Sequence, residues 1–321
     1  MNTATARAYP NIALVKYWGK RDEELMLPAA GSLSLTLDAF ETRTTVTLTD
    51  DADDAFELNG GAQSGDSLQR VTRFLDLVRE RAGSDRRAVV RSTNEAPTGA
   101  GLASSASGFA ALALAASTAY GLDLDARQLS CLARRGSGSA ARSIVEGVAL
   151  WHAGEGDDSS FAEAVEAPEM HMVIVTVDER QKAVSSRVAM RRTAVTSPYY
   201  DAWVSSTEAS LESMVTACRE HDFTRIGRIT ETHALRMHAV IQACDPPIRY
   251  LSPVSVAVFD EVARLRERGI EAYATADAGP NVAVLVQPAD GPAVAEALAE
   301  FGSVRVVGPG RGAELVDPGT P

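Results

Sequence analysis

The sequence predicts a two-domain α+β protein with a cleft between its halves, on three observations. Its 321 residues exceed what one hydrophobic core usually serves and suffice for two. The first half carries short strand-like runs around a glycine- and serine-rich passage that feeds an alanine-rich helix. Past about residue 185 the pattern changes to long helical periodicities, followed by two apolar strands around a turn. The expected units are therefore 1–185 and 186–321, with a site in the cleft between them.

In the first half, residues 44–48 and 88–92 read as strands flanking a charged helix over 68–82. The acidic cluster Asp50, Asp51, Asp53 and Asp54 could hold a metal, but a solvated turn is the simpler reading. An alanine-rich helix should reach about Tyr120, and Asp125 with Gln128 is a capping box opening a second helix that stops near Gly136. Residues 139–146 read as a third helix and 172–177 as a buried strand. The second half should hold helices over 206–220, 223–244 and 254–268, and strands over 271–276 and 282–287. A helix over 293–301 and a strand over 304–307 close it.

Apolar residues make up 45% and charged residues 23%, as in ordinary globular chains. A formal net charge of −12 makes nucleic acid and anionic membranes poor partners, so an anionic ligand would need a local basic pocket. Cys131, Cys218 and Cys244 lack C-x-x-C spacing and read as small core hydrophobes, with no disulfide framework or zinc site. The longest apolar run, 109–116, is too short to span a bilayer, and no signal peptide is expected. The expected location is the cytoplasm.

The most informative stretch is Pro97-Thr98-Gly99-Ala100-Gly101-Leu102-Ala103-Ser104-Ser105. Glycines let a backbone approach phosphate closely, and the following helix offers free N–H groups and its positive dipole end. Ser104 and Ser105 add hydroxyls for a phosphate oxygen or its magnesium. No lysine stands where a Walker A loop needs one. Gly136-Ser137-Gly138-Ser139-Ala140-Ala141 loosely matches a dinucleotide fingerprint but follows a helix rather than a strand. Gly308-Pro309-Gly310-Arg311-Gly312 has no helix after it and reads as a loop.

Charged residues in quiet sequence point the same way. In Asn11-Ile12-Ala13-Leu14-Val15-Lys16-Tyr17-Trp18-Gly19-Lys20, Lys16 interrupts an apolar run and needs an anionic partner, either a protein carboxylate or a substrate. Lys20 could reach a phosphate as a point charge. Ser137, Ser139 and Arg142 place two hydroxyls and a guanidinium at a helix start, which suits a carboxylate or phosphate. Ser185-Ser186-Arg187 is a weaker version, where a surface ion pair is an equal reading. Asp277, at a strand end before a Gly-Pro turn, is the candidate catalytic carboxylate, or else a turn aspartate capping its own backbone. His233 and His238 are five apart and read as helix-face residues rather than paired metal ligands. No G-x-S-x-G or H-E-x-x-H motif occurs.

At these residues the chain resembles the diphosphomevalonate decarboxylase family, within the superfamily of galactokinases and homoserine, mevalonate and phosphomevalonate kinases (GHMP kinases). The glycine loop is shared across the superfamily; Lys16-Tyr17-Trp18-Gly19-Lys20 and Asp277-Ala278-Gly279-Pro280-Asn281 are specific to the decarboxylase branch. The resemblance implies a GHMP-kinase-like fold, with a ribosomal-protein-like βαβ domain followed by a ferredoxin-like domain. It implies ATP and Mg²⁺ on the Pro97–Ser105 loop, with magnesium carried by the ATP phosphates and Ser105. It implies conversion of 5-diphosphomevalonate to isopentenyl diphosphate by a homodimer. Asn11, Tyr17, Trp18, Gly19, Lys20, Ser137, Gly138, Ser139, Ala140, Ala141 and Arg142 are the implied substrate positions, with Ser186, Arg187 and Arg70. Asp277 would orient or deprotonate the 3-hydroxyl, Lys16 would pair with it and keep it ionised or neutralise developing phosphate charge, and Ser105 would help place the γ-phosphate. Ala30-Gly31, Ala189 and Glu95-Ala96 depart from the family pattern and bear on monophosphate against diphosphate. The alternatives are a 5-phosphomevalonate decarboxylase, a kinase stopping at the 3-phosphate, and an idle nucleotide sensor.

Overall fold

The computed structural model describes residues 2–95, 104–178, 180 and 183–317. Pro97, Gly99, Ala100, Gly101, Leu102 and Ala103 of the expected ATP loop lie outside the described residues, as does the side chain of Ser104.

The chain begins with strands β1 (Thr3–Ala8), β2 (Asn11–Val15), β3 (Lys20–Asp22), β4 (Leu27–Pro28), β5 (Ser32–Thr36), β6 (Thr42–Thr49), β7 (Ala55–Leu58) and β8 (Gly61–Ala62). Helix α1 (Gly65–Ala82), β9 (Arg87–Asn94), α2 (Ser104–Ala119), α3 (Ala126–Gly136), a 3₁₀ helix (Gly138–Ile144), β10 (Val148–Trp151) and β11 (Ala162–Ala164) follow. Next come β12 (His171–Thr176), α4 (Ser186–Thr196), α5 (Tyr200–Arg219), α6 (Phe223–Gln242) and α7 (Pro253–Glu267). The chain closes with β13 (Ala272–Thr275), β14 (Val282–Val286), α8 (Gly291–Leu298), β15 (Ser303–Val307) and β16 (Glu314–Leu315).

Three main sheets form, in the orders β16-β1-β6-β9-β7-β8, β11-β10-β5-β2 and β13-β14-β12-β15, beside the small β3-β4 ribbon. Strands cross the expected division near residue 185 in both directions: β12 lies among β13–β15, and β16 pairs with β1.

Local chemistry explains the principal elements. On α1, Val71, Phe74, Leu75 and Val78 recur on one face and enter the first core; left-handed Gly83 closes the helix through its N–H to Arg79 and Glu80. Helix α2 is apolar on nearly every side and is accordingly enclosed, with Phe109, Leu112 and its alanines in that core. Both parts of the Asp125–Gln128 capping box are present on α3. Strand β12 feeds two cores by simple alternation. Met172 and Ile174 meet Ile12, Leu14, Leu33 and Leu35 of the middle sheet, while Val173 and Val175 meet Val258, Val262 and Val294 on the other face.

Several expectations need correction. The third helix is a tighter 3₁₀ segment, suited to a short buried connector after α3. Helix α5 starts at Tyr200 rather than 206, its first turns anchored by buried Trp203. Helix α4 was not anticipated, because it buries only Ala189 and Thr193 and shows little periodicity. The acidic cluster is a solvated turn only through Asp53. Asp54 is buried and accepts two bonds from Arg79, from Nη1 at 3.0 Å and Nη2 at 2.9 Å, and a third from the Ala88 N–H. Truncating Asp54→Ala would leave the buried Arg79 guanidinium short of a partner. It is expected to lower unfolding free energy by about 3–5 kcal/mol, read from urea denaturation with an unchanged slope.

Candidate functional site

A cavity of about 880 Å³ opens where the three sheets and α4 converge. Among the described residues its walls carry Lys16, Lys20, Arg70, Arg73, Arg142 and Arg187 against Asp66 and Asp277. On a chain of net charge −12, six basic side chains facing two acidic ones make a local anion trap.

Lys16 follows β2 directly. The β2–β5 ladder is irregular between Ala13 and Val15, and the chain then leaves the sheet. The Lys16 side chain is 1% exposed, and its Nζ lies 2.7 Å from Asp277 Oδ1, a residue 261 positions away. Burial pushes the ammonium pKa down, Asp277 pulls it back up, and Arg142 adds to the depression. Asp277, beyond the end of β13, keeps 27% of its side chain exposed toward the cavity.

Arg142 leaves the 3₁₀ segment and is 3% exposed. Its Nε donates to Ser34 Oγ at 2.9 Å and Asn11 Oδ1 at 3.2 Å, and its Nη1 to Ser32 Oγ at 2.5 Å. Burial pushes its pKa down to about 10, with Asp277 and Tyr17 opposing. No carboxylate among the described residues forms an ion pair with it, so its charge stays available to a ligand. Asn11 braces the same segment, donating to Ser139 O and Ser143 Oγ.

The remaining expected residues divide. Tyr17, Trp18, Ser105, Ser137, Gly138, Ser139, Ser186 and Arg187 line the cavity. Ser105 Oγ is 3.3 Å from Ser137 Oγ, joining the start of α2 to the 3₁₀ segment. Tyr17 Oη is buried without a partner among the described residues, and Gly138 makes room for it: a β-carbon there would lie 2.8 Å from that oxygen. Arg70 stacks on Phe109 and donates to Gly136 O, yet its buried Nε has no partner among the described residues; burial and Arg187 lower its pKa to about 10. Lys20 pairs with Glu23 at 2.8 Å. Gly19 lies behind the wall at φ +113°, where Tyr200 leaves no space for a side chain. Ala140 and Ala141 are fully buried, packing into the first core and against Trp151.

Residues 8–162 match the model of the diphosphomevalonate decarboxylase-like N-terminal domain, and residues 172–307 that of the mevalonate 5-diphosphate decarboxylase C-terminal domain. The chain belongs to the diphosphomevalonate decarboxylase family. Human diphosphomevalonate decarboxylase is 37% identical over 306 residues, covering 87% of this chain and 76% of that protein. The crystal structure of mevalonate diphosphate decarboxylase from Staphylococcus aureus is 40% identical with a TM-score of 0.94, covering 98% of each chain. A structure of MDDEF in complex with MVAPP, AMPPCP and magnesium is 46% identical with a TM-score of 0.93, covering 98% of this chain and 99% of that one. The expected GHMP-kinase-like fold is the one this family shares.

Four buried residues that contact Lys16, Arg142 or the residue before Asp277 were not read as site candidates from the sequence. Ser32 and Ser34 had a signal in the Ser-Leu-Ser-Leu alternation of β5, which puts both hydroxyls on one face. His233 and His238 had none beyond their presence on a helix. Both are buried on α6, and burial is the main cause that lowers their pKa values, to about 3 and about 4. In the unfolded chain these imidazoles bind protons below about pH 6.5, whereas in the fold they resist them, so the unfolded state gains protons as pH falls. Stability is therefore expected to be complete above pH 6.5 and to fall from there toward pH 4, by roughly 1 kcal/mol per pH unit for each histidine. Urea midpoints across pH 4–8, with a shallower dependence in His238→Gln, would check it.

Proposed function

We propose that this chain is an ATP-dependent decarboxylase of 5-diphosphomevalonate, yielding isopentenyl diphosphate, ADP, phosphate and CO₂. The observation that carries the reading is the Lys16–Asp277 contact at 2.7 Å on a cavity wall that also holds Arg142. The likeness to a structure in complex with MVAPP, AMPPCP and magnesium supports it.

The residues fit the ligands on their own chemistry. Arg70 Nε and Tyr17 Oη are buried polar atoms without partners among the described residues, a costly condition that an anionic ligand's oxygens relieve. Among the described residues no group of three His, Cys, Asp or Glu could hold a metal, so phosphate oxygens, with Ser105 nearby, are its natural ligands.

A 3-hydroxy acid has no electron sink for carbon dioxide loss. ATP with magnesium supplies the phosphoryl group that turns the tertiary hydroxyl into a leaving group. Asp277 orients that hydroxyl and accepts its proton. Lys16 holds the carboxylate in place and offsets the negative charge that builds around it. Arg142 grips the substrate carboxylate, its orientation fixed by Ser32, Ser34 and Asn11. Tyr17, Lys20, Ser139, Arg70, Ser186 and Arg187 hold the diphosphate, and Ser105 places the γ-phosphate. The same reading takes the enzyme as a homodimer, on the family resemblance, and as cytoplasmic, on its sparse cysteines without a disulfide pattern.

Steady-state assays of purified protein with ATP and magnesium, on 5-diphosphomevalonate and 5-phosphomevalonate in parallel, test this. The diphosphate should give the higher kcat/KM, and preference for the monophosphate would overturn the substrate assignment. Asp277→Asn should lower kcat by about 10³-fold while leaving ATP affinity near wild type. Near-normal turnover in that variant would remove Asp277 from the chemistry.

A further inference from the structure

Two buried histidines have no part in the chemistry above, yet each touches the backbone beside one member of the Lys16–Asp277 pair. The Lys16 N–H donates to His233 Nδ1 at 3.0 Å. His238 Nε2 lies 3.3 Å from the carbonyl of Ala276, the residue before Asp277. Both are essentially inaccessible, at 1% and 2% exposure.

The hydrogen bonds fix the tautomers. A backbone N–H only donates, so His233 Nδ1 is a bare acceptor and its proton is on Nε2. That proton points to Thr207 Oγ1 at 3.2 Å, and the threonine hydroxyl donates onward to Trp203 O at 2.8 Å. Trp203 Nε1 returns to the starting strand by donating to Trp18 O at 2.9 Å. Residues 16 and 18 are thus held from α5 and α6 together, at the point where β2 has left its ladder and the Lys16 N–H has no strand partner. The Ala276 carbonyl only accepts, so His238 also carries its proton on Nε2.

The i, i+5 spacing that disqualifies the histidines as a metal pair suits them here. Five residues advance a helix by about 7.5 Å and rotate it by about 140°, so the imidazoles leave α6 in different directions. One reaches the end of β2 and the other the end of β13, and α6 packs against both strands.

We propose that His233 and His238 are positioning residues: α6 uses them as two fixed pins that set the separation of Lys16 and Asp277. This role rests on the reading of that pair as the reacting groups. Satisfied core histidines of no consequence for turnover would show the same burial, so the test must separate stability from rate.

The experiment compares the full chain with His233→Asn, His233→Leu, His238→Gln, His238→Leu and Asp277→Asn, measuring kcat, both KM values and thermal unfolding for each. Asn can return an acceptor near the Nδ1 position and Gln a donor near Nε2, whereas Leu returns neither. His233→Leu should lower kcat by about 10²-fold, with both KM values within about threefold, because a misplacement of about 1 Å is enough for such a loss. His233→Asn should recover at least about tenfold of that, and His238→Gln should likewise exceed His238→Leu. Equal kcat in Asn and Leu variants, or wild-type kcat in both, would overturn the positioning role. If a leucine variant does not fold, His233→Gln and His238→Asn, which carry the same amide at the wrong reach, take its place: kcat well below that of His233→Asn and His238→Gln supports the pins, and equal kcat overturns them. Wild-type kcat in His233→Leu beside a dead Asp277→Asn sinks the pins alone, whereas an active Asp277→Asn sinks the reading of the pair itself.

Discussion

A lysine ammonium almost wholly withdrawn from water needs an anion, and the architecture around the cavity follows from that demand. Lys16 sits at 1% exposure with a single carboxylate at 2.7 Å, supplied by a turn from the far end of the chain. Isolated from Asp277, the ammonium would be several kcal/mol uphill, so the closed core requires the ends of β2 and β13 to meet. The shared cluster of Ile12, Leu14, Leu33 and Leu35 with Met172, Tyr273 and Leu285 provides the apolar part of that meeting.

Buried arginines in this chain are treated in two ways, and the difference marks the site. Arg79 is gripped by Asp54 and also paired with Asp76, while Arg134 is surrounded by the carbonyls of Leu25, Asp157 and Ser160 together with the Asp157 carboxylate. Their charges are used up internally, and both serve the fold. Arg142 is equally buried but meets serine hydroxyls and an amide oxygen, which orient a guanidinium without neutralising it. A cation fixed in direction and left charged is primed for an anionic ligand. Arg70 follows the same logic, with an aromatic face and one carbonyl as its neighbours.

What the sequence disclosed depended on whether the signal was local. Lys16 stood out because a charge in an apolar run is anomalous, and Asp277 because a carboxylate at a strand end before Gly-Pro is geometrically pinned. The Asp125 capping box and the apolar stripe of α1 were legible for the same reason: each is written within a few residues. Asp54 was misread with its neighbours because its partner, Arg79, lies 25 positions on. The role of Ser32 and Ser34 needed Arg142 to be placed beside them, and the histidines of α6 needed both strand ends in view. The 3₁₀ geometry of Gly138–Ile144, where Gly138 lies against Tyr17, has no signal in the apolar periodicity.

In the proposed reaction one cavity couples phosphoryl transfer at Asp277 to loss of the carboxylate held by Arg142. The most direct measurement is the product tally, with ADP, phosphate and CO₂ each counted per 5-diphosphomevalonate consumed at saturating ATP and magnesium. Equal amounts of all three are expected. ADP accumulating without CO₂ would contradict the account, because the cavity would then phosphorylate its substrate and stop.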